Sequence, residues 1–405
     1  MLDDFGQRIR DIILSEMDLS RELSDEEICD LIGSVVSREA RDRPMTIKDR
    51  AELERTIFNS LRKLDVLQEL VDDRDVTEIM VNGPNDIFYE KAGRIQRFKG
   101  HFSSEEKLED VIQQIVGRHN RVVNQASPIV DTRLSDGSRV NIVLNPISIG
   151  GSAVSIRKFP EHPMSMERLV EIEALSPEVA RLLQILTQAK YNIFISGGTG
   201  SGKTTFLNAL SQYIPDDERI ITIEDSAELQ LLGAKNIVRL ETRNANTDGV
   251  TPITIRDLIR TALRMRPDRI IVGECRGAEA LDMLQAMNTG HDGSLSTGHA
   301  NSPHDIISRI ETMVLQGQDF PLNAIRQQIA SGIDIIVQLG RLRDKSRRVL
   351  EISEVDGFMN GEIVLHTLYR FEETGDLDSG RIQGFLKKAG TLCHTDKLMA
   401  AGLSV

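Results

Sequence analysis

Gly197-Gly198-Thr199-Gly200-Ser201-Gly202-Lys203-Thr204-Thr205 has the residue types and spacing of a loop that holds a nucleoside triphosphate. Gly197, Gly202, Lys203 and Thr204 fall in register with the pattern G-x-x-x-x-G-K-[ST]. Glycines let consecutive backbone N–H groups curl around phosphate oxygens, where a Cβ would collide with the ligand or forbid the dihedrals. Lys203 would set a positive charge on the β- and γ-phosphates, and Thr204 would offer a hydroxyl to Mg²⁺. A dinucleotide fingerprint is excluded, because Gly198-x-Gly200 would need glycine where Lys203 stands.

Two apolar runs downstream end in carboxylates. Arg219-Ile220-Ile221-Thr222-Ile223-Glu224-Asp225 is followed by Glu228, and Arg269-Ile270-Ile271-Val272-Gly273 by Glu274. Phosphoryl transfer to water needs one carboxylate near Mg²⁺ and a second group to orient the attacking water. Glu274 suits the first role and Glu228 the second. One such acid would read as an ordinary solvated strand end; two behind a single phosphate loop favour chemistry. A Gly/Ser/Thr-rich stretch, Thr289 to Ala300, is framed by His291 and His299. No carboxylate or cysteine stands at metal-ligand spacing from them, which disfavours zinc.

These groups need a scaffold. Tyr191-Asn192-Ile193-Phe194-Ile195 reads as a buried strand, and Phe206, Leu207, Leu210, Tyr213 and Ile214 recur at helical spacing, so the phosphates would sit at a helix N-terminus. From about 165 onward apolar strands alternate with helical segments, as in a parallel α/β sheet whose ligands bind at the carboxyl ends of its strands. Residues 1–65 read as a helical region, with Ile9, Ile12, Ile13 and Met17, then Ile28, Leu31, Ile32 and Val35, at three-to-four spacing, and Ser24-Asp25-Glu26-Glu27 as a helix start. Residues 66–160 read as a mixed α/β domain, with strands at 76–81, 87–90, 140–144 and 153–157. Phe159-Pro160-Glu161-His162-Pro163 looks like a linker to a P-loop domain over 161–405.

The bulk composition fits this layout. A chain of 405 residues exceeds what one core usually supports, and 40% hydrophobic with 27% charged residues describes a soluble protein. A net charge of −13 argues against broad nucleic-acid binding, so no nucleic-acid partner is expected. No apolar run approaches the roughly 20 residues of a membrane span, and the acidic N-terminus lacks a signal-peptide core. Three scattered cysteines make neither a disulfide framework nor a four-cysteine zinc site. The reading is cytoplasmic. No N-K-x-D guanine-reading motif is present, which argues against a GTPase.

In this order, Gly-Gly-Thr-Gly-Ser-Gly-Lys-Thr-Thr (197–205), Ile-Glu-Asp-Ser-Ala-Glu (223–228), Arg-Pro-Asp-Arg-Ile-Ile-Val-Gly-Glu-Cys-Arg-Gly (266–277) and Thr-Gly-His…Ser-Thr-Gly-His-Ala (289–300) resemble the Walker A, Asp box, Walker B and His box of the type II/type IV secretion ATPase superfamily. Val-Thr-Glu-Ile-Met-Val-Asn-Gly-Pro (76–84), Asp-Thr-Arg-Leu-Ser-Asp-Gly-Ser-Arg-Val-Asn (131–141), Ser-Ile-Arg-Lys-Phe (155–159) and residues 254–268 are similar to its CpaF branch, the motor of Tad/Flp pilus assembly.

The resemblance implies a RecA-like P-loop ATPase domain behind a smaller, PAS-like α/β domain. It implies ATP and Mg²⁺ as cofactors, with Gly198, Thr199, Gly200, Ser201, Gly202, Lys203, Thr204 and Thr205 around the nucleotide. Glu228 would be the catalytic glutamate, Glu274 would hold Mg²⁺ through water, and His299 would contact the γ-phosphate. Arg133 and Arg157 would reach the nucleotide from the N-terminal domain, with Arg243 and Arg264 weaker candidates. Walker B ending in Glu274 rather than Asp is usual in this superfamily. The tetracysteine module of type II secretion motors is missing, which argues against that branch. The expected assembly is a homo-hexamer working with inner-membrane platform proteins, docked through the helical region or the tail near 384–388. The alternatives are a type IV secretion ATPase moving protein or DNA, and a nucleotide-dependent switch.

Overall fold

Ser24 opens the helix Asp25–Glu39 with a capping box: its hydroxyl accepts the amide of Glu27, and the Glu27 carboxylate accepts the amide of Ser24. Thr46 and Asp49 repeat the device at Ile47–Arg62. With Asp4–Glu16 these helices enclose a small core of Ile9, Ile13, Ile28, Ile32, Val35, Val36 and Ile57. The computed structural model describes residues 4–17, 21, 23–41, 45–117, 122–159, 163–243, 251–376 and 380–405. The chain divides into two compact units, Met1–Glu161 and His162–Val405. Residues 160–162 of the expected linker lie outside the described residues.

The first unit continues into six strands: β1 (Val76–Asn82), β2 (Ile87–Lys91), β3 (Arg94–Arg97), β4 (Ile129–Arg133), β5 (Arg139–Val143) and β6 (Ala153–Arg157). They form an antiparallel sheet in the order β3-β2-β1-β6-β5-β4. Strand side chains alternate between faces. Val140, Ile142, Val154 and Ile156 share one core with Leu108, Val111, Ile112 and Ile115 of the helix Glu105–Gly117. The other face exposes Asp131, Asn141 and Ser155. On that same face the register sets Arg133 opposite Arg139, and Arg139 opposite Arg157.

The second unit is built on nine strands: β7 (Ile193–Gly197), β8 (Arg219–Glu224), β9 (Asn236–Glu241), β10 (Arg269–Val272), β11 (Leu295–Gly298), β12 (Ile335–Arg341), β13 (Arg347–Met359), β14 (Glu362–Asp376) and β15 (Ile382–Lys388). Their order is β15-β14-β13-β12-β7-β11-β10-β8-β9. The six strands from β12 to β9 are parallel. Pro177–Gln188 and Lys203–Ser211 share one core with the sheet, while Ile255–Ala262, Glu279–Asn288, Pro303–Gly317 and Leu322–Gly332 share a second.

The alternation of strand and helix expected from residue 165 onward stops at β12. Beyond it, β13, β14 and β15 return as antiparallel hairpins. Asn360-Gly361, both at positive φ (52° and 87°), make the two-residue turn between β13 and β14, where an Asn-Gly pair suits the twist of paired strands.

Candidate nucleotide-binding site

β7 is wholly buried and delivers the chain into the 198–202 loop and the helix Lys203–Ser211. The loop turns on Gly200 (φ 72°) and Gly202 (φ 94°), left-handed conformations that side-chain-bearing residues rarely adopt. Gly197 is required by packing: a Cβ there would lie 2.5 Å from Ser201 Oγ and 2.8 Å from the Leu339 carbonyl. At Gly198 and Gly200 an added Cβ would meet nothing within 4 Å, so both glycines face open space. The Gly198–Thr205 segment therefore offers a cradle with the N-terminus of a helix behind it.

Lys203 is buried, and its ammonium reaches the Gly197 and Gly198 carbonyls at 3.0 and 3.2 Å. It also lies 3.1 Å from Nδ1 of His299, one residue beyond β11. His299 Nε2 is 2.8 Å from Glu274 Oε1, two residues beyond β10. Glu274 Oε2 accepts from Arg276 at 2.7 Å, and Arg276 stands 3.7 Å from Asp225 at the end of β8. The contacts Lys203–His299–Glu274–Arg276–Asp225 thus link the carboxyl ends of four parallel strands. Burial pushes the Lys203 pKa down, assisted by the Arg276 charge and opposed by Glu274. Burial, then the Lys203 charge, pushes His299 below its usual value, favouring the neutral ring. A neutral ring lets Nδ1 accept from Lys203, while Nε2 stands beside Glu274 Oε1, a buried oxygen that accepts no hydrogen bond among the described residues. Burial alone would raise the Glu274 pKa, but the Arg276 hydrogen bond and the nearby positive charges hold it low and the carboxylate ionised.

Glu228 follows β8 by four residues, on a loop fixed by Glu224, whose Oε1 accepts the amides of Glu228 (2.7 Å) and Leu229 (2.9 Å). A Cβ at Gly273 would lie 2.8 Å from Glu224 Cγ, so glycine there lets the ends of β8 and β10 close up. Arg243 follows β9, pairs with Ile253 in an isolated bridge, and lines a cavity of about 440 Å³ with Asp225 and Arg276. Arg264 is exposed just beyond the helix Ile255–Ala262. His291 sits before β11, at the end of that strand opposite His299. Arg133 and Arg157 belong to the first unit, on the open face of its sheet.

A divalent cation fits this donor set when it arrives with phosphate. Thr204 lies in the first turn of the loop helix, and Glu274 is the ionised acid closest in the contact chain. Among the described residues no group of three or more His, Cys, Asp or Glu side chains could hold a metal ion. Such a site suits Mg²⁺, which keeps its waters and takes phosphate oxygens with one or two protein ligands.

Three residues received no role from the sequence. Arg276 stands two positions past Glu274, a spacing that could have signalled it. Arg139 emerges only from the strand register. Arg347, at the start of β13, donates from Nε to the Gly200 carbonyl at 2.9 Å across 147 residues, and no local pattern announces that contact.

Residues 60–379 match the family described as "Type II/IV secretion system protein", and the chain belongs to that family. Conjugal transfer protein TrbB of Rhizobium radiobacter is 31% identical over 332 residues, covering 81% of this chain and 98% of that protein. Type IV secretion system protein PtlH of Bordetella pertussis is 33% identical over 320 residues, 73% of this chain and 94% of that one. The ATPase DotB of Legionella pneumophila shares the fold at a TM-score of 0.54 and 22% identity, over 72% of this chain and 80% of its own. The fold is RecA-like α/β, as in that structure, with a smaller α/β unit before it in the chain.

Proposed function

We propose that this chain is an ATP hydrolase that converts turnover into mechanical work for a secretion or pilus-assembly machine. The observation that carries the reading is the contact chain from Lys203 through His299 to Glu274 and Arg276, at the carboxyl ends of β7, β11 and β10. In a parallel α/β sheet this is where phosphates bind, and a lysine, a histidine and an ionised carboxylate, residue types that phosphoryl transfer uses, lie there. Gly198–Thr205 would cradle the phosphates, Thr204 and Glu274 would hold Mg²⁺ (Glu274 through water), and Glu228 would orient the attacking water. Bound Mg²⁺ supplies charge neutralisation on the β- and γ-phosphates. Arg133, Arg157 and Arg243 would add guanidinium groups to the same phosphates.

The finer reading is a homo-hexameric motor of a Tad/Flp pilus, acting on inner-membrane platform proteins from the cytoplasmic face. It is supported by the CpaF-like stretches at 76–84, 131–141 and 155–159. Among the described residues no helix is long and apolar enough to cross a membrane. A second reading, type IV secretion of protein or DNA, is favoured by the conjugal and type IV names of its relatives. Phosphate release from Mg·ATP by the purified chain, with Lys203→Ala alongside, tests the common core. Equal release by both proteins would overturn it.

A further inference from the structure

The turn between β12 and β13 stands beside the phosphate loop. Leu339 of β12 pairs with Gly197 of β7, so β12 runs out at the same end of the sheet as the loop. β13 then returns with Arg347 directly opposite Arg341. The segment Arg341-Leu342-Arg343-Asp344-Lys345-Ser346-Arg347-Arg348 carries five cations against one acid, in a chain whose net charge is −13.

Two of those cations are committed to acids. Arg343 pairs with Glu373 and Asp376, and the buried Arg348 pairs with Glu173. Among the described residues Arg341, Lys345 and Arg347 form no ion pair. Like charges placed directly opposite on neighbouring strands repel, so Arg341 facing Arg347 is unfavourable unless an anion joins them. Arg347 is also the residue that touches the loop. Its Nε donates to the Gly200 carbonyl, and a Cβ at Gly202 would lie 3.5 Å from its Cδ, so its stem follows the 200–202 arc. That bond uses one of the guanidinium's five N–H donors.

We propose that Arg347 is a positioning residue of the phosphate loop, holding Gly200 so that the loop amides aim at the nucleotide, and that Arg341 and Arg347 together form a cationic wall for its phosphate chain within the same unit. This rests on the nucleotide-binding reading above and adds a source of arginine charge separate from Arg133 and Arg157. The loop has two anchors: Lys203 holds the Gly197 and Gly198 carbonyls, and Arg347 holds Gly200 on the other side of the turn. Restraining both sides lowers the ordering cost of binding, which raises affinity rather than the rate of the chemical step.

The test uses the full chain with Arg347→Ala, Arg347→Lys and Arg341→Ala, and Lys203→Ala as control. Affinity is read with fluorescent ADP and a non-hydrolysable ATP analogue, and loop order by hydrogen exchange of residues 198–204. Arg347→Ala is expected to weaken both nucleotides about tenfold, as for loss of a charge-assisted hydrogen bond, and to speed loop exchange. Turnover at saturating ATP should fall less than about threefold, since the lost interaction serves ground and transition states alike. Arg347→Lys should recover part of the affinity, and Arg341→Ala should weaken binding with loop exchange unchanged. Arg347 is exposed, so folding of these variants is expected to hold, and their melting temperatures verify it. Wild-type affinity and exchange in Arg347→Ala, with Lys203→Ala unable to bind, would overturn this inference alone. Intact binding by Lys203→Ala would overturn the nucleotide-site reading beneath it.

Discussion

Lys203 and His299, 96 residues apart in sequence, meet at 3.1 Å between Nζ and Nδ1. The contact joins the phosphate loop to the end of β11 and gives His299 a place between a cation and the Glu274 carboxylate. A ring that meets the cation on one side and stands beside the carboxylate on the other registers a change at either end. His299→Ala is therefore expected to keep nucleotide affinity within about threefold while lowering turnover at least tenfold, the pattern for an interaction made chiefly in the transition state. Steady-state kinetics beside equilibrium binding checks this, and a loss confined to affinity contradicts it.

Removing the proposed catalytic glutamate should separate binding from chemistry. Glu228→Gln is expected to bind Mg·ATP as the wild type does and to lose about 10²–10⁴-fold in turnover, the usual contribution of a positioned base. Lys203→Ala should instead lose binding. Unchanged ATPase in Glu228→Gln would move the role to Glu274. The loop amides of Glu228 and Leu229 do not depend on the Glu228 side chain, because Glu224 holds them. The substitution therefore reports on the carboxylate rather than on the fold.

Much of this site was legible because its residues sit in short local motifs. Gly197–Thr205, Glu224–Glu228 and Gly273–Glu274 each span fewer than ten residues and follow a strand that period and composition reveal. What local reading missed is what register alone decides. Arg139 and Arg157 are 18 positions apart and become neighbours only because β5 pairs with β6. Arg347 meets Gly200 only because β12 lies beside β7 and β13 turns back upon it. The long β13–β15 hairpins depart from the alternating α/β pattern expected from residue 165 onward, although Asn360-Gly361 is a hairpin signal visible in the sequence.

Arg139 stands between Arg133 and Arg157 across three adjacent strands. Arg133 and Arg139 each make contacts of their own, so the row is tested through its charge: Arg139→Gln removes the middle cation, and its effect on nucleotide binding should shrink as salt screens the row. If the row serves the nucleotide as proposed for Arg133 and Arg157, the same variant should also favour ATP less over ADP. A lower melting temperature with unchanged nucleotide preference would assign Arg139 a packing role instead.

Asp344 gives the β12–β13 turn a pH dependence of its own. The Ser346 hydroxyl first, then the amides of Ile382 and Ser346, hold its carboxyl down to about 2, from an ordinary 3.8. A depressed carboxyl stabilises the fold fully above the unfolded value and loses that contribution as pH falls through the folded value. The Asp344 contribution should therefore be intact above pH 4 and vanish towards pH 2. Asp344→Asn should melt lower at pH 7 and show a shallower acid limb between pH 4 and 2. Because this turn carries Arg347, the variant should also weaken nucleotide binding at pH 7; equal melting curves for both proteins would contradict the assignment.

The N-terminal helices yield the last prediction. Asp4–Glu16, Asp25–Glu39 and Ile47–Arg62 have their own apolar core, and all but the last few of their residues precede the family match that begins at residue 60. Lys107 and Gln114 tie them to the α/β layer by donating to the Ser60 and Arg62 carbonyls at 2.9 and 3.0 Å. Deleting residues 1–65 breaks these two bonds, but both donors lie on the helix Glu105–Gly117, where water can replace the lost partners. The larger changes are the loss of the helical core and of Leu64, which packs in the α/β core of the same unit. The truncated chain is expected to keep its Lys203-dependent phosphate release and to lose recruitment to the membrane machine in cells. Fractionation of cells expressing it, beside an ATPase assay of the purified protein, reads both halves. Normal recruitment would show that the helical region is not the coupling element, and lost ATPase would show that it supports the fold instead.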